Sequence, residues 1–211
     1  MHIDLYSDVV CPWCRIGKQN LFRALKQWEA KGGEPVTITY KAYQLDPNLP
    51  EEGRSFDEVM QKKMGGAETL QRMLEHVTKS GAAVGVTFRF DRVTRMPNTR
   101  LAHRFIALVP EESKTAAVDS LFRATFEEGR DVAQLSEVLA VAIELGLDEA
   151  DIRTRLLAGE GSESVDADIE QAHKIGVTGV PYFVFNNKYA LSGAYPADEL
   201  IGLMERVATG E

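Results

Sequence analysis

The segment Asp8-Val9-Val10-Cys11-Pro12-Trp13-Cys14 constrains this chain most, because it places both cysteines of 211 residues three positions apart. The residues before it alternate loosely. Ile3, Leu5 and Val9 are set against Asp4, Tyr6 and Asp8, so His2 to Val9 reads as a short strand. The period changes after Pro12. Leu21, Leu25 and Trp28 recur at helical spacing, with Ile16 and Phe22 near the same face. A helix is predicted from about Pro12 to Ala30, closed by Gly32-Gly33. Pro12 suits its first turn, where a missing N–H costs nothing. The β-branched and aromatic run Pro35 to Leu45 predicts a second strand. The chain therefore opens as strand, CxxC, helix, strand.

Cysteines at i and i+3 on a helix's first turn lie near the separation that a disulfide closes. Cys11 falls where unpaired N–H groups and the positive end of the helix dipole favour a thiolate, so it is the expected nucleophile. Cys14, a turn further in, is expected to resolve a mixed disulfide, and Pro12 and Trp13 to tune potential and substrate fit. Zinc would need four ligands, and His2, His76, His103 and His173 show no paired spacing, so no metal is expected. A bridge closing so short a loop would restrain the unfolded chain little, which argues against a structural staple. An inert buried pair is the remaining alternative, and the strand-to-helix junction speaks against it.

A long helical middle follows. Ser55-x-x-Glu58 is a capping box, and Phe56, Met60, Met64 and Met73 fall at helical spacing that reads as core before peptide groove. Val84 to Phe90 reads as briefly strand-like or extended, and Asn98 as the cap of a helix with Leu101, Phe105 and Leu108 on its core face. Near the end, Gly179-Val180-Pro181-Tyr182 enters one strand, and Asn186-Asn187 turns it into another. Proline at a strand's first residue has a purely structural reading. A cis Val180-Pro181 bond would instead expose the Val180 backbone for pairing with a peptide. The order of elements is α/β: a thioredoxin fold with a large all-helical, DsbA-type insertion. Residues 1–46 and 161–211 make up the thioredoxin unit, and 47–160 the insertion.

On "SDVVCPWC", "NTRLAHRF" and "GVTGVPYFVFNNKYALSGAYP" the chain resembles the FrnE-like proteins of the DsbA family, across nearly its whole length. That resemblance implies thiol–disulfide oxidoreductase activity, with Cys11 and Cys14 as redox pair and Pro181 as cis-proline. It implies that Val180-Pro181 meets the backbone of a bound peptide or glutathione. Tyr195 stands where glutamine is common. Hydroxychromene-carboxylate isomerases and kappa-class glutathione transferases share the architecture but use a serine near the first helix, so a retained cysteine pair favours redox turnover. The expected partners are protein thiols and disulfides, or glutathione as co-substrate, with no further cofactor. A peptide-binding chaperone is the alternative from another class.

Three more residues are candidates. Asp8, three before Cys11, would oppose the helix dipole, or merely cap a loop. Asn98 and His103 are candidate substrate contacts. On a helical wheel His103 lies opposite Leu101, Phe105 and Leu108, towards a cleft between subdomains, solvent or another helix. A net charge of −8 with no basic run argues against nucleic acid. No stretch approaches the ~20 apolar residues of a membrane span. An N-terminus without a basic and apolar leader predicts a cytoplasmic protein.

Overall fold

The computed structural model describes residues 1–210. Strand β1 (His2–Ser7), helix α1 (Pro12–Ala30) and strand β2 (Thr37–Ala42) form the expected opening unit. The strands run parallel, with Ile3 opposite Ile38 and Leu5 opposite Tyr40. β1 stops short of Val9 because the chain turns there: the Cys11 amide donates to the Asp8 carbonyl at 3.0 Å, which starts the helix.

After β2 the chain leaves the sheet for the insertion. Its elements are β3 (Arg54–Ser55), α2 (Phe56–Met64), α3 (Ala67–Ala83), β4 (Arg95–Met96), α4 (Arg100–Leu108), α5 (Glu111–Arg123), α6 (Leu135–Glu144) and α7 (Glu149–Leu157). The Ser55 hydroxyl accepts from the Glu58 amide at 3.4 Å, as the capping box requires, and Asp148 caps α7 in the same way. α5 continues through a π-helical turn, Ala124–Glu128. α8 (Ser162–Lys174) leads back to β5 (Tyr182–Phe185), β6 (Tyr189–Ser192) and α9 (Ala197–Thr209). The sheet order is β2-β1-β5-β6, with β5 antiparallel to β1 and β6 antiparallel to β5. This is the thioredoxin arrangement with helices inserted between β2 and α8. Asn186 and Asn187 turn the β5–β6 hairpin with φ of 49° and 55°, the left-handed backbone asparagine tolerates.

Two expectations are corrected. Val84 to Phe90 pairs into no strand; it is an irregular segment whose Val86 and Phe88 are buried in the insertion core between exposed Gly85, Thr87 and Arg89, with Phe88 lying against Gly81. Hydrophobicity, not pairing, produced its strand-like look. The buried face of α4 is Ala102, His103, Phe105 and Ile106, with Leu101 and Leu108 only partly covered. α4 is packed by α5, α6, α7 and α8, so it is covered from more than one side and has no single core stripe.

Three apolar clusters result. Ile3, Leu5, Phe183 and Phe185 meet α1 and α9 on one face of the sheet. Tyr6, Tyr182 and Val184 meet Ala172 of α8 and Val177 on the other. The largest lies in the insertion, and it takes in Val9, Cys11, Cys14 and Ile16 from the start of α1. The reactive turn is thus embedded in the inserted helices.

Tyr6 is 2% exposed and sits edge-on to Tyr182 at 6.3 Å. Burial first, and then the Asp4 carboxylate, push its phenol up to about 12. An unfolded tyrosine ionises near pH ~10. The contribution of Tyr6 is therefore complete below that pH and is lost as pH climbs towards about 12. Urea midpoints measured across this window should fall more steeply for the wild type than for Tyr6→Phe.

Candidate active site

Cys11 is the N-cap of α1, and Pro12 is its first residue. With no earlier turn above it, the Cys14 amide points back at the Cys11 Sγ, at 3.3 Å. The Cys11 thiol in turn faces the Val180 carbonyl at 3.4 Å. The Val180–Pro181 peptide is cis, and the Pro181 carbonyl accepts from the Gly193 amide at 2.9 Å. Gly17 lets the helix approach this loop: a Cβ there would stand 2.7 Å from Pro181 Cγ and 3.4 Å from Ala194 Cα. Asn20, a turn beyond Gly17, donates to the Tyr195 carbonyl at 2.9 Å. Tyr195 therefore holds the loop through its backbone and leaves its side chain 37% exposed.

The two thiols have different surroundings. Cys14 is fully buried, and its thiol is pushed well above the ordinary range, by burial first and then by hydrogen bonding and charge from Cys11. Cys11 borders a cavity of about 300 Å³ between the sheet end and the insertion. Trp13 and Val180 flank the sulfur, and the walls are Leu45, Leu49, Phe56, Met60, Met64 and Met73. Asp8, Asp46 and Lys63 are its charged members. Trp13 is held from the insertion side by His76 of α3, ring to ring at 5.5 Å. Arg15 ties α1 to the insertion, donating to the Thr87 carbonyl at 2.7 Å and pairing with Glu127.

The sequence candidates Cys11, Pro12, Trp13, Val180 and Asp8 come together around this cavity. Asn98 and His103 do not line it. Asn98 is a brace: its amide donates to the Leu49 carbonyl at 2.7 Å, and its carbonyl oxygen accepts from Gln44 and from the Arg100 amide. His103 is 4% exposed and lies behind the loop, with Nε2 at 3.2 Å from Asp8 Oδ1. The other Asp8 oxygen accepts from the Leu45 amide at 2.8 Å. Asp8 is therefore a buried tie between the β1–α1 loop, the end of β2 and α4. Met60, Met64 and Met73, read as core, prove to be cavity wall, because α2 and α3 turn that stripe towards Cys11. Sequence reasoning missed His76 and Gly17. A glycine inside an otherwise good helix was the available signal for the second.

This geometry fits the comparisons with known proteins. The model of the DSBA-like thioredoxin domain matches residues 2–205. The chain belongs to that family. Among solved DSBA-like structures, a "probable DsbA oxidoreductase" of Streptomyces coelicolor superposes with a TM-score of 0.88 at 29% identity, covering 100% of this chain and 91% of that one. The cytosolic disulfide reductase DsbM of Pseudomonas aeruginosa, solved with glutathione, gives a TM-score of 0.69 at 17% identity, covering 99% of this chain and 100% of that one, a likeness of fold. The Bacillus subtilis protein YwbO is 25% identical over 189 residues, 89% of this chain and 88% of its own.

Two outcomes test this DSBA-like site. Gly17→Val drives methyls into Pro181, so it should cost about 1–3 kcal/mol in urea unfolding and slow disulfide exchange out of proportion to that loss. Iodoacetamide at neutral pH should alkylate Cys11 while Cys14 stays unmodified until urea is added, read by peptide mass spectrometry.

Proposed function

We propose that this chain is a thiol–disulfide oxidoreductase of the FrnE-like kind, working in the cytoplasm on cysteines of proteins and peptides. The observation that carries the reading is the unequal pair: Cys11 borders a cavity beside the Val180 carbonyl, whereas Cys14 is fully buried and does not reach it. Cys11 attacks a substrate disulfide, or is attacked by a substrate thiol through the Cys11–Cys14 disulfide. Cys14 closes or opens the second bond. The cis-Val180 backbone stands where an extended substrate segment would pair with it.

The cavity supports a protein or peptide substrate before glutathione. Glutathione carries two carboxylates and an ammonium group, and the walls offer Lys63 as their one cation among leucine, phenylalanine and methionine side chains. Such walls favour an apolar residue beside the reacting cysteine, and methionines adapt to several shapes. Burying one such side chain is worth roughly 1.5–3 kcal/mol, about ten- to a hundredfold in affinity.

The test uses a fluorescent dithiol peptide with leucine or phenylalanine flanking one cysteine. The wild type should turn it over at least tenfold better than it turns over a glutathione mixed disulfide. Cys11→Ser should fall to background, and Cys14→Ser should accumulate the mixed disulfide, visible by mass. Exchange that persists in Cys11→Ser would remove the reading. Glutathione-dependent isomerase activity surviving in that variant would replace it with the kappa-type alternative, and peptide binding without exchange would replace it with the chaperone.

A further inference from the structure

The methionines of this chain are gathered in one place. Of its six, Met60, Met64, Met73 and Met96 border the cavity beside Cys11. They come from three elements of the insertion: Met60 and Met64 lie about one turn apart on α2, Met73 on α3 and Met96 on β4. All four are half-buried, whereas Met204 is 0% exposed inside the cluster under the sheet. A cavity of about 300 Å³ is far larger than the ~10–15 Å³ that one water needs, so a small oxidant fits among them. Leucine would line the same space with similar volume and no sulfur. Adaptable packing uses the shape of these side chains and leaves their sulfur chemistry unused.

Resting on the oxidoreductase reading, we propose that these four methionines are a modification site for hydroperoxides. Their conversion to sulfoxides turns the substrate cavity polar and stops exchange with cysteines flanked by apolar residues, while the cysteine pair stays intact. With Cys11 held in its disulfide with Cys14, the thioethers are the most readily oxidised groups around the cavity. Each sulfoxide adds a strong acceptor oxygen to an apolar wall. A leucine or phenylalanine seated there strips water from that oxygen without offering it a donor, so the gain from burying the substrate side chain is lost.

The step balances. The methionine sulfur attacks the terminal oxygen of the hydroperoxide, an S–O bond forms and the O–O bond breaks. The proton of that oxygen passes to the departing one, which leaves as an alcohol, or as water from hydrogen peroxide. The sulfur loses two electrons and the peroxide gains them. Methionine sulfoxide reductases return the thioether, taking two electrons from a dithiol and releasing water. The modification therefore acts on substrate choice and not on the reacting sulfurs. It separates two classes of substrate: disulfides that seat an apolar side chain in the cavity, and small polar disulfides that seat none.

The experiment treats the Cys11–Cys14 disulfide form with hydrogen peroxide, removes the peroxide with catalase, reduces the cysteines with dithiothreitol and removes that too. Peptide mass spectrometry should find Met60, Met64, Met73 and Met96 oxidised and Met204 untouched. Reduced protein is then mixed with the disulfide form of the leucine-flanked peptide. Its second-order rate constant should fall about tenfold, the lower end of what burying that side chain contributes. The rate with bis(2-hydroxyethyl) disulfide should change less than twofold. A variant carrying Met60→Leu, Met64→Leu, Met73→Leu and Met96→Leu keeps Met1 and Met204, so damage there is counted in it. Whatever its starting rate with the peptide, peroxide should leave that rate unmoved. If it does not fold, the four single leucine variants decide, and at least one must lessen the loss. The proposal is overturned by cavity methionines that peroxide leaves unmodified, or by a peptide rate that survives their oxidation. It is overturned equally by a loss shared with the small disulfide, or by one that the leucine variants suffer in full. If untreated protein reduces neither substrate, the oxidoreductase reading fails instead.

Discussion

The close approach of α1 to the Val180–Pro181 loop is the contact on which the site depends. Gly17 has no side chain, so helix and loop meet at a distance that a methyl group would not permit. That approach brings the Cys11 sulfur within 3.4 Å of the Val180 carbonyl. It also aligns the helix start with the end of the sheet, where a substrate segment would lie. Asn20 repeats the connection further along the helix by holding the Tyr195 carbonyl. The loop is thus fixed to the same rigid element that carries both cysteines, and the sulfur-to-backbone geometry is set by packing, not by a mobile segment.

The insertion completes what α1 begins. A helix start carrying Val9, Cys11, Cys14 and Ile16 would leave an apolar surface at the sheet's end, and the inserted helices cover it. They cover it incompletely over Cys11, where Met60, Met64 and Met73 face an open cavity, and completely over Cys14. One element therefore makes two unlike thiols. The same burial that pushes the Cys14 thiol upward keeps it from reacting with anything but its neighbour.

Much of this was legible in the residues. The change of period at Pro12, the capping box at Ser55 and the Asn-Asn turn are local signals, and local physics decides them. The CxxC pair at a helix start and the distant Val180-Pro181 together indicated the fold. What stayed hidden depends on tertiary packing. A helical wheel shows that Met60 and Met64 share a face, but not whether that face meets another helix or a void. It placed His103 away from the core because it assumes one buried side, and α4 has more than one. Asp8 is a small polar residue in a loop by sequence. Its meaning comes from Leu45 and His103, both far along the chain.

The arrangement sorts polar from apolar around one reaction. The cavity in front of Cys11 is walled largely by apolar side chains, which makes charge costly there. On the other side of the loop, Asp8 is tied to His103 of α4, and His103 borders a separate polar cavity. A buried carboxylate and imidazole are expensive to hold unless each finds partners, and here they meet at 3.2 Å while the second Asp8 oxygen takes the Leu45 amide.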